Sequence, residues 1–203
     1  MLQLQNRTPF AASISVFPNV DGVDTLYVNA RATFLLGKTW QLADDQPLPT
    51  EVDEYYGDPL TTSVKSASDF HVGKTATDIV MQGSACAIDG RAVRELDVQL
   101  TVESASKAVR VFGDRVWDGR KISSPEMFES MPLVYERAFG GVADLGSEDA
   151  ERFDKNPVGV GFSGNFSVNA VSGVPLPNIE SPQDLIVSPE DTPDPAGFSF
   201  IAP

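Results

Sequence analysis

The sequence predicts a mainly β protein, with an antiparallel β-sandwich or barrel-like core, long Gly/Pro-rich loops and at most short helices. Before residue 124, several segments alternate apolar and polar residues at period two, and Asp-Gly and Gly-Lys dipeptides between them are typical of turns. No segment in that region keeps the 3.6-residue apolar period of a helix.

The first predicted strands lie before residue 44. The segment "ASISVFP" alternates around Ile14 and Val16, and a turn at Asp21-Gly22 follows it. The segment "DTLYVNARATFLL" is then the clearest strand of the sequence, and Gly37-Lys38 predicts a hairpin return through "TWQLA". Period two places five apolar residues on one face of the clearest strand: Leu26, Val28, Ala30, Ala32 and Phe34.

The next predicted strands run to residue 123. The segment "TDIVMQGSACAID" predicts a strand that turns at Asp89-Gly90 into the return strand "RELDVQLTVES". Its cysteine, Cys86, is expected to be buried as a small hydrophobic residue. In "KAVRVFGDRVWDG", a turn at Gly113-Asp114 would place Trp117 opposite Val111.

From residue 124 the chain becomes loop-rich. Ser124 and Pro125 favour a short helical turn at its start. Eight of the fifteen prolines follow residue 150, yet large apolar residues recur there and predict loops that lie on the β-core. We therefore expect one domain over residues 1–203, with a β-core at 1–123 and a loop-rich segment at 124–203. The apolar anchors of these loops are Phe162, Phe166, Leu176, Ile179, Leu185, Ile186, Phe198 and Phe200.

Charge and cysteine content limit the function classes. The formal net charge of -14 disfavours binding to nucleic acid, since an acidic protein repels phosphate. No apolar run is long enough to span a bilayer and the start lacks a secretory signal, so no membrane association is expected and the protein is predicted to be cytoplasmic. Cys86 is the only cysteine, which excludes an intrachain disulfide and zinc sites that need several cysteines.

Candidate catalytic and ligand sites are sparse. The single histidine, His71, has Asp69 and Asp78 close by in sequence, which leaves open a hydrolase acting on cell-wall or glycan substrate. Acidic clusters lack the EF-hand pattern, and the glycines form no phosphate-binding loop. The sequence therefore predicts no catalytic residue, no metal and no cofactor. A carbohydrate-binding β-sandwich module is a second alternative, and its stacking platform would need Trp40, Trp117 and either Tyr55 or Tyr56 to be exposed.

Two segments combine arginine with aromatic residues, "GDRVWDG" and "MPLVYERAFGG". Arg, Trp and Tyr anchor protein interfaces because they bury a large area and keep a directional polar group. They lie in or beside residues 101–140, the one region where cations are not outnumbered by acids. Alternatively, Trp117 and Phe139 close the core, and the arginines pair with Asp114, Asp118 or Glu136. The residues predicted to form a protein-binding groove are Arg115, Trp117, Tyr135, Arg137 and Phe139.

Seven segments in order form a recognisable series: "NARATFLL", "SVKSASDFHVGKTATDIVMQGSA", "VRVFGDRVW", "MPLVYERAFGG", "NPVGVGF", "PLPNIESP" and "PAGFSFIAP". Together they resemble the family called domain of unknown function 2169, which is associated with bacterial type VI secretion. Members are usually longer, so the resemblance implies that this chain is the amino-terminal part of such a protein.

The resemblance implies a cytoplasmic, non-catalytic adaptor or chaperone. Such proteins are encoded near the secretion spike and are thought to load a toxic effector, often a PAAR-containing one, onto the VgrG spike. The acidic charge suits a basic toxin such as a nuclease. Extended effector segments are expected to bind along an exposed strand edge, or in a groove beside the loops after residue 140.

Overall fold

The computed structural model describes residues 2–70, 76–143, 150–164 and 172–200. In these ranges the protein is mainly β, with no α-helix and with two single-turn 3-10 helices, Ile88–Gly90 and Tyr135–Arg137. Of the eight strand pairs whose register the structure describes, seven are antiparallel and one, between Phe139–Gly140 and Val160–Gly161, is parallel. The predicted β-rich, antiparallel class is confirmed. The chain forms two compact units: unit 1 comprises residues 1–54 and 66–77, and unit 2 comprises residues 55–65 and 78–203.

Unit 1 is built on a long hairpin, which we call the ribbon. Asn19 shapes its turn, because its side-chain oxygen accepts the backbone N–H groups of Asp21 and Val23, both at 2.9 Å. Gly22 supplies the positive φ that this turn needs. The turn predicted at Asp21-Gly22 and the hairpin predicted at Gly37-Lys38 are confirmed, but the long strand predicted between them is divided, because residues 32 and 33 belong to no strand. The strands are β1 (Ala11–Pro18) and β2 (Asp24–Arg31), which pair with each other, and β3 (Phe34–Leu35) and β4 (Gln41–Leu42), which also pair.

Two short strands, β5 (Glu54–Tyr55) and β6 (Val64–Ser66), pair with each other. In unit 2, β8 (Glu95–Val102) and β9 (Ala105–Phe112) form the longest hairpin, and its turn uses Glu103 at φ 53°. The third strand of this sheet is β17 (Ile179–Glu180), which pairs with β9, so the order is β17-β9-β8. The strands of unit 2 are β7 (Ser84–Cys86), β8 (Glu95–Val102), β9 (Ala105–Phe112), β10 (Trp117–Asp118), β11 (Lys121–Ile122), β12 (Ser130–Pro132), β13 (Phe139–Gly140), β14 (Val142–Ala143), β15 (Glu151–Arg152), β16 (Val160–Gly161) and β17 (Ile179–Glu180).

Three local predictions in unit 2 were wrong. Strand β7 pairs with β12 and not with β8: the chain does turn at Asp89-Gly90, where both residues have positive φ and the Arg91 N–H donates to the Ile88 carbonyl oxygen at 3.2 Å, but the segments on either side do not pair with each other. Gly113 is not a hairpin turn either: a Cβ there would lie 1.9 Å from the carbonyl oxygen of Glu126, so glycine is required for close backbone approach. The helical turn expected at Ser124 is absent, and Phe128 instead bridges to Val93.

The two apolar cores given by the described residues both belong to unit 2. The first surrounds Val109 and Val111 of β9, which are fully buried, and includes Ile179, Ala196 and Phe198 from the loop-rich part. The second comprises Trp117, Phe139, Leu176 and Ile186, with Phe153 and Phe162 packed against it. The predicted loop anchors Leu176, Ile179, Ile186 and Phe198 are therefore interior residues, while Phe166 lies outside the described residues.

Candidate protein-binding site

The five residues predicted to form a binding groove lie in unit 2, and four of them are interior. Trp117 and Phe139 belong to the second core, and Arg115 and Tyr135 are also buried. Arg137 alone is half-exposed. A buried side chain offers no surface to a partner, so the expectation of an open groove lined by all five residues is corrected.

Arg115 is part of a buried ion pair. Its Nη2 group donates to the carbonyl oxygen of Pro177 at 2.8 Å and to the carboxylate of Glu180. The guanidinium lies 3.7 Å from the centre of the Phe112 ring. Burial raises the pKa of Glu180, and the positive charge of Arg115 opposes that shift. Glu180 also accepts the backbone N–H of Ile186 at 2.8 Å, so the pair joins Arg115, which follows β9 in the chain, to residues 177–186.

Arg137 belongs to a partly exposed polar network. Its Nη1 group donates to Asn178 Oδ1 at 2.9 Å and lies 3.7 Å from Asp114 Oδ1. The Asn178 amide donates to Asp114 Oδ1 at 2.9 Å and to the Phe112 carbonyl oxygen at 3.2 Å. The predicted pairing of Arg137 with Asp114 is thus found, whereas Arg115 pairs with Glu180 and not with a neighbour in sequence.

The segment "MPLVYERAFGG" is held by close backbone contacts. Asn156 is fully buried and donates to the carbonyl oxygens of Tyr135 at 2.8 Å and Phe139 at 3.0 Å. Gly140 has φ 148°, and a Cβ there would lie 2.1 Å from the carbonyl oxygen of Asn156. Glu136 accepts from the backbone N–H of Ser63 at 2.7 Å and from its hydroxyl at 2.8 Å. These contacts give the segment an architectural role.

Unit 1 presents the opposite arrangement, with apolar side chains outside. The register aligns Val16 with Leu26 and Ile14 with Val28, so these side chains share one face of the ribbon. Val16, Leu26 and Val28 are 45%, 50% and 65% exposed. We call this surface the outer face; its residues are Ala12, Ile14, Val16, Leu26, Val28 and Ala30.

The other face of the ribbon carries polar side chains together with Phe17 and Tyr27, and it is partly covered. The Asn29 amide donates to the Asp69 carbonyl oxygen at 2.5 Å, and Arg31 donates to the Asp69 carboxylate at 3.1 Å. The same carboxylate accepts the backbone N–H of Thr50 at 2.8 Å. Folding of unit 1 thus satisfies the polar side of β2, and its apolar side remains in solvent.

Other surfaces of unit 1 are also apolar. Phe34 and Trp40 on the β3–β4 hairpin have ring centres 6.1 Å apart, and Trp40 is 72% exposed. Among the described residues, sixteen of the twenty-six exposed large hydrophobic residues belong to unit 1, which holds only about a third of the chain. In that unit, Ala11 and Pro49 are the only described residues that are buried. Contiguous exposed apolar surface of this kind marks interaction sites.

Both strands of the ribbon have an open outer edge. The sheet has two strands, and within the described ranges no backbone hydrogen bond reaches the outer side of β1 or β2. An unpaired edge exposes N–H and C=O groups that can pair with another chain. The sequence contained the signal for this site, the period-two face from Leu26 to Ala30, but did not indicate that the described residues of unit 1 would leave it uncovered.

Two alternative functions were predicted from the sequence, a hydrolase and a carbohydrate-binding module. His71 lies outside the described residues, so the hydrolase hypothesis has no geometry to assess. Trp117 is buried and cannot belong to an exposed stacking platform with Trp40.

Cys86 is exposed, against expectation, because period two in β7 turns Ala85 and Ala87 inward and the sulfur outward. No group of three metal-ligating side chains occurs within the described ranges. Those ranges also contain no helix of sufficient length and apolarity to cross a membrane.

The fold defines a mainly β protein whose ribbon has one exposed apolar face, the outer face. Residues 21–203 match the model of the family described as "Uncharacterized protein conserved in bacteria (DUF2169)", and the chain belongs to this family. Neither a curated protein nor a solved structure matches the chain at a significant level.

Proposed function

We propose that this protein is a non-catalytic adaptor that binds a type VI secretion effector and helps to load it onto the VgrG/PAAR spike. Membership of the family supports the proposal, since the sequence resemblance associates that family with type VI secretion. The observation that carries the binding role is the outer face, where three large apolar side chains share one exposed surface.

The outer face suits binding of a protein better than it suits catalysis. Apolar side chains contribute to affinity when a partner removes them from water, at about 25 cal/mol per Å². The partly covered face bonds to Asp69, whose carboxylate also accepts the Thr50 N–H, so the outer face is held in place before a partner arrives. A preorganised surface reduces the entropy lost on association.

The test is a pull-down of the full chain against the effector and spike proteins encoded beside it, with accurate masses of what is retained. Val28→Asp places a charge in the centre of the outer face and should reduce effector capture at least tenfold, since a desolvated charge opposes burial. Ile88→Asp is the matched control, because Ile88 is 83% exposed in unit 2 and should leave capture unchanged.

Both variants must show the far-UV circular dichroism of the parent. Failure of the folded parent to retain any effector or spike protein would contradict the proposal. If the parent and Val28→Asp capture the effector equally, the adaptor function would stand, but binding would take place through a surface other than the outer face.

A further inference from the structure

We infer that the ribbon takes up an extended, basic segment of its protein partner as a third strand beside β2. This inference rests on the adaptor function proposed above and specifies the chemistry of the partner. Three independent features of unit 1 support it: the open backbone edge, the alternating apolar face and the acidic charge.

The backbone argument begins with the size of the sheet. A two-stranded antiparallel sheet is marginal in water, and a third strand with an apolar face gives independent stability. The ribbon has eight residues in each strand and no third strand among the described residues. An added strand would satisfy the open N–H and C=O groups of its edge, which is how an extended peptide joins a sheet.

Strand β2 is the more accessible edge. Its residues alternate between exposed and half-buried along its whole length, from Asp24 to Arg31. In contrast, the residues of β1 from Ala11 to Ser15 are all at least half-buried. A partner strand beside β2 would add alternate apolar side chains next to Leu26 and Val28 and would extend the outer face.

The acidic charge of unit 1 favours a basic partner. The described part of unit 1 contains eight acidic and three basic residues, and one of those bases, Arg31, already pairs with Asp69. The exposed carboxylates of Asp21 and Asp24 stand at the turn end of the ribbon. Opposite charge speeds association and selects among partners. A second copy of this chain is disfavoured, because it would bring two acidic units together.

The test uses the full chain and a capped nine-residue peptide in which Lys or Arg alternates with Val. Binding is measured by fluorescence anisotropy, and a peptide of the same composition but with the valines grouped together is the control for charge alone. The alternating peptide should bind at least tenfold more tightly than the grouped one, because only alternation gives one apolar face to an extended strand.

Two N-methylated versions then test strand pairing. In an added strand, alternate N–H groups face the sheet, and each lost backbone bond weakens binding about fivefold. Methylation of three N–H groups of one parity should therefore weaken binding roughly a hundredfold, and methylation of the other parity should have little effect. Val28→Asn removes the apolar side chain without adding a charge that would attract the basic peptide, so it should weaken binding of the unmethylated peptide, and Ile88→Asn should not.

The outcomes separate this inference from the adaptor function. Equal effects of the two methylation patterns, or equal binding of the alternating and grouped peptides, would overturn strand addition even if the chain captures an effector. Peptide binding with the expected parity, without capture of an effector, would support the ribbon site and contradict the adaptor function. A dimer of the chain alone in sedimentation experiments, abolished by Val28→Asp and unaffected by the peptide, would assign the face to self-association and overturn the inference.

Discussion

Unit 2 encloses charged and apolar side chains together, whereas unit 1 leaves apolar side chains in water and partly covers polar ones. In unit 2, Arg115 and Glu180 are buried as a pair beside two apolar cores. In unit 1, Asn29 and Arg31 contact Asp69 while Val28 is 65% exposed. The difference indicates that unit 2 is stabilised by its own interior, and that unit 1 carries an apolar surface that its own described residues do not bury.

The segments that make the chain recognisable have an architectural role in unit 2. "MPLVYERAFGG", "NPVGVGF" and "PLPNIESP" supply Tyr135, Asn156 and Glu180, which are all buried in unit 2. The contacts of these residues require specific hydrogen-bonding groups and glycines, so the sequence there is constrained by architecture. The recognition surface proposed above lies instead in unit 1.

The largest expected effect comes from breaking the buried pair of unit 2. Arg115→Ala would leave the Glu180 carboxylate buried without its cation and should cost about 3–5 kcal/mol in the free energy of unfolding. The measurement is urea unfolding followed by Trp117 fluorescence in a Trp40→Phe background, since these are the two tryptophans of the chain.

The control for this prediction is the double variant Arg115→Met with Glu180→Gln. It removes both charges and keeps an oxygen to accept the Ile186 N–H. It should recover more than half of the lost stability, because the uncompensated charge is gone. An Arg115→Ala variant as stable as the parent would show that the pair does not stabilise unit 2.

The same substitution of valine by alanine, made once in each unit, should show most directly that the two units differ in how deeply they bury apolar side chains. Val111→Ala removes fully buried methyl groups and should cost about 2 kcal/mol. Val28→Ala acts on a side chain that is 65% exposed and should change stability by less than about 0.5 kcal/mol. Urea unfolding measured by circular dichroism and by each tryptophan tests this, and equal losses would contradict the contrast between the units.

The smallest expected effect is the pH dependence of an exposed pair on the β8–β9 hairpin. Arg110 donates to both oxygens of Asp97, at 2.7 and 3.0 Å, and this hydrogen bonding lowers the pKa of Asp97. Because the folded pKa is below the unfolded one, the stabilisation is present above the unfolded pKa and is lost as pH falls through the folded pKa.

Asp97→Asn should therefore lower stability slightly at neutral pH and reduce its loss between about pH 4 and the lower folded pKa. The effect should be smaller than that of Val111→Ala, since exposed ion pairs contribute little. Urea midpoints measured from pH 2 to pH 7 give the answer, and an unchanged acid slope would show that the pair makes no contribution.

Sequence patterns predicted the structure correctly where it depends on residues that are close together in the chain. The Asn19–Val23 turn and the ribbon followed from period two and an Asp-Gly dipeptide. The return strand proposed for β7 was wrong, since its real partner, β12, lies more than forty residues further along the chain. Cys86 was misplaced because alternation gives two faces without saying which one the core occupies.

By itself, the sequence determined the mainly β class, the two ribbon strands and the single apolar face of β2, because alternation and turn chemistry act over a few residues. The tertiary structure alone decided that this apolar face stays exposed, that Arg115 pairs with Glu180 sixty-five residues away, and that four of the five predicted groove residues are interior. Burial and long-range pairing depend on which distant segments meet, and a periodic pattern carries no information about that choice.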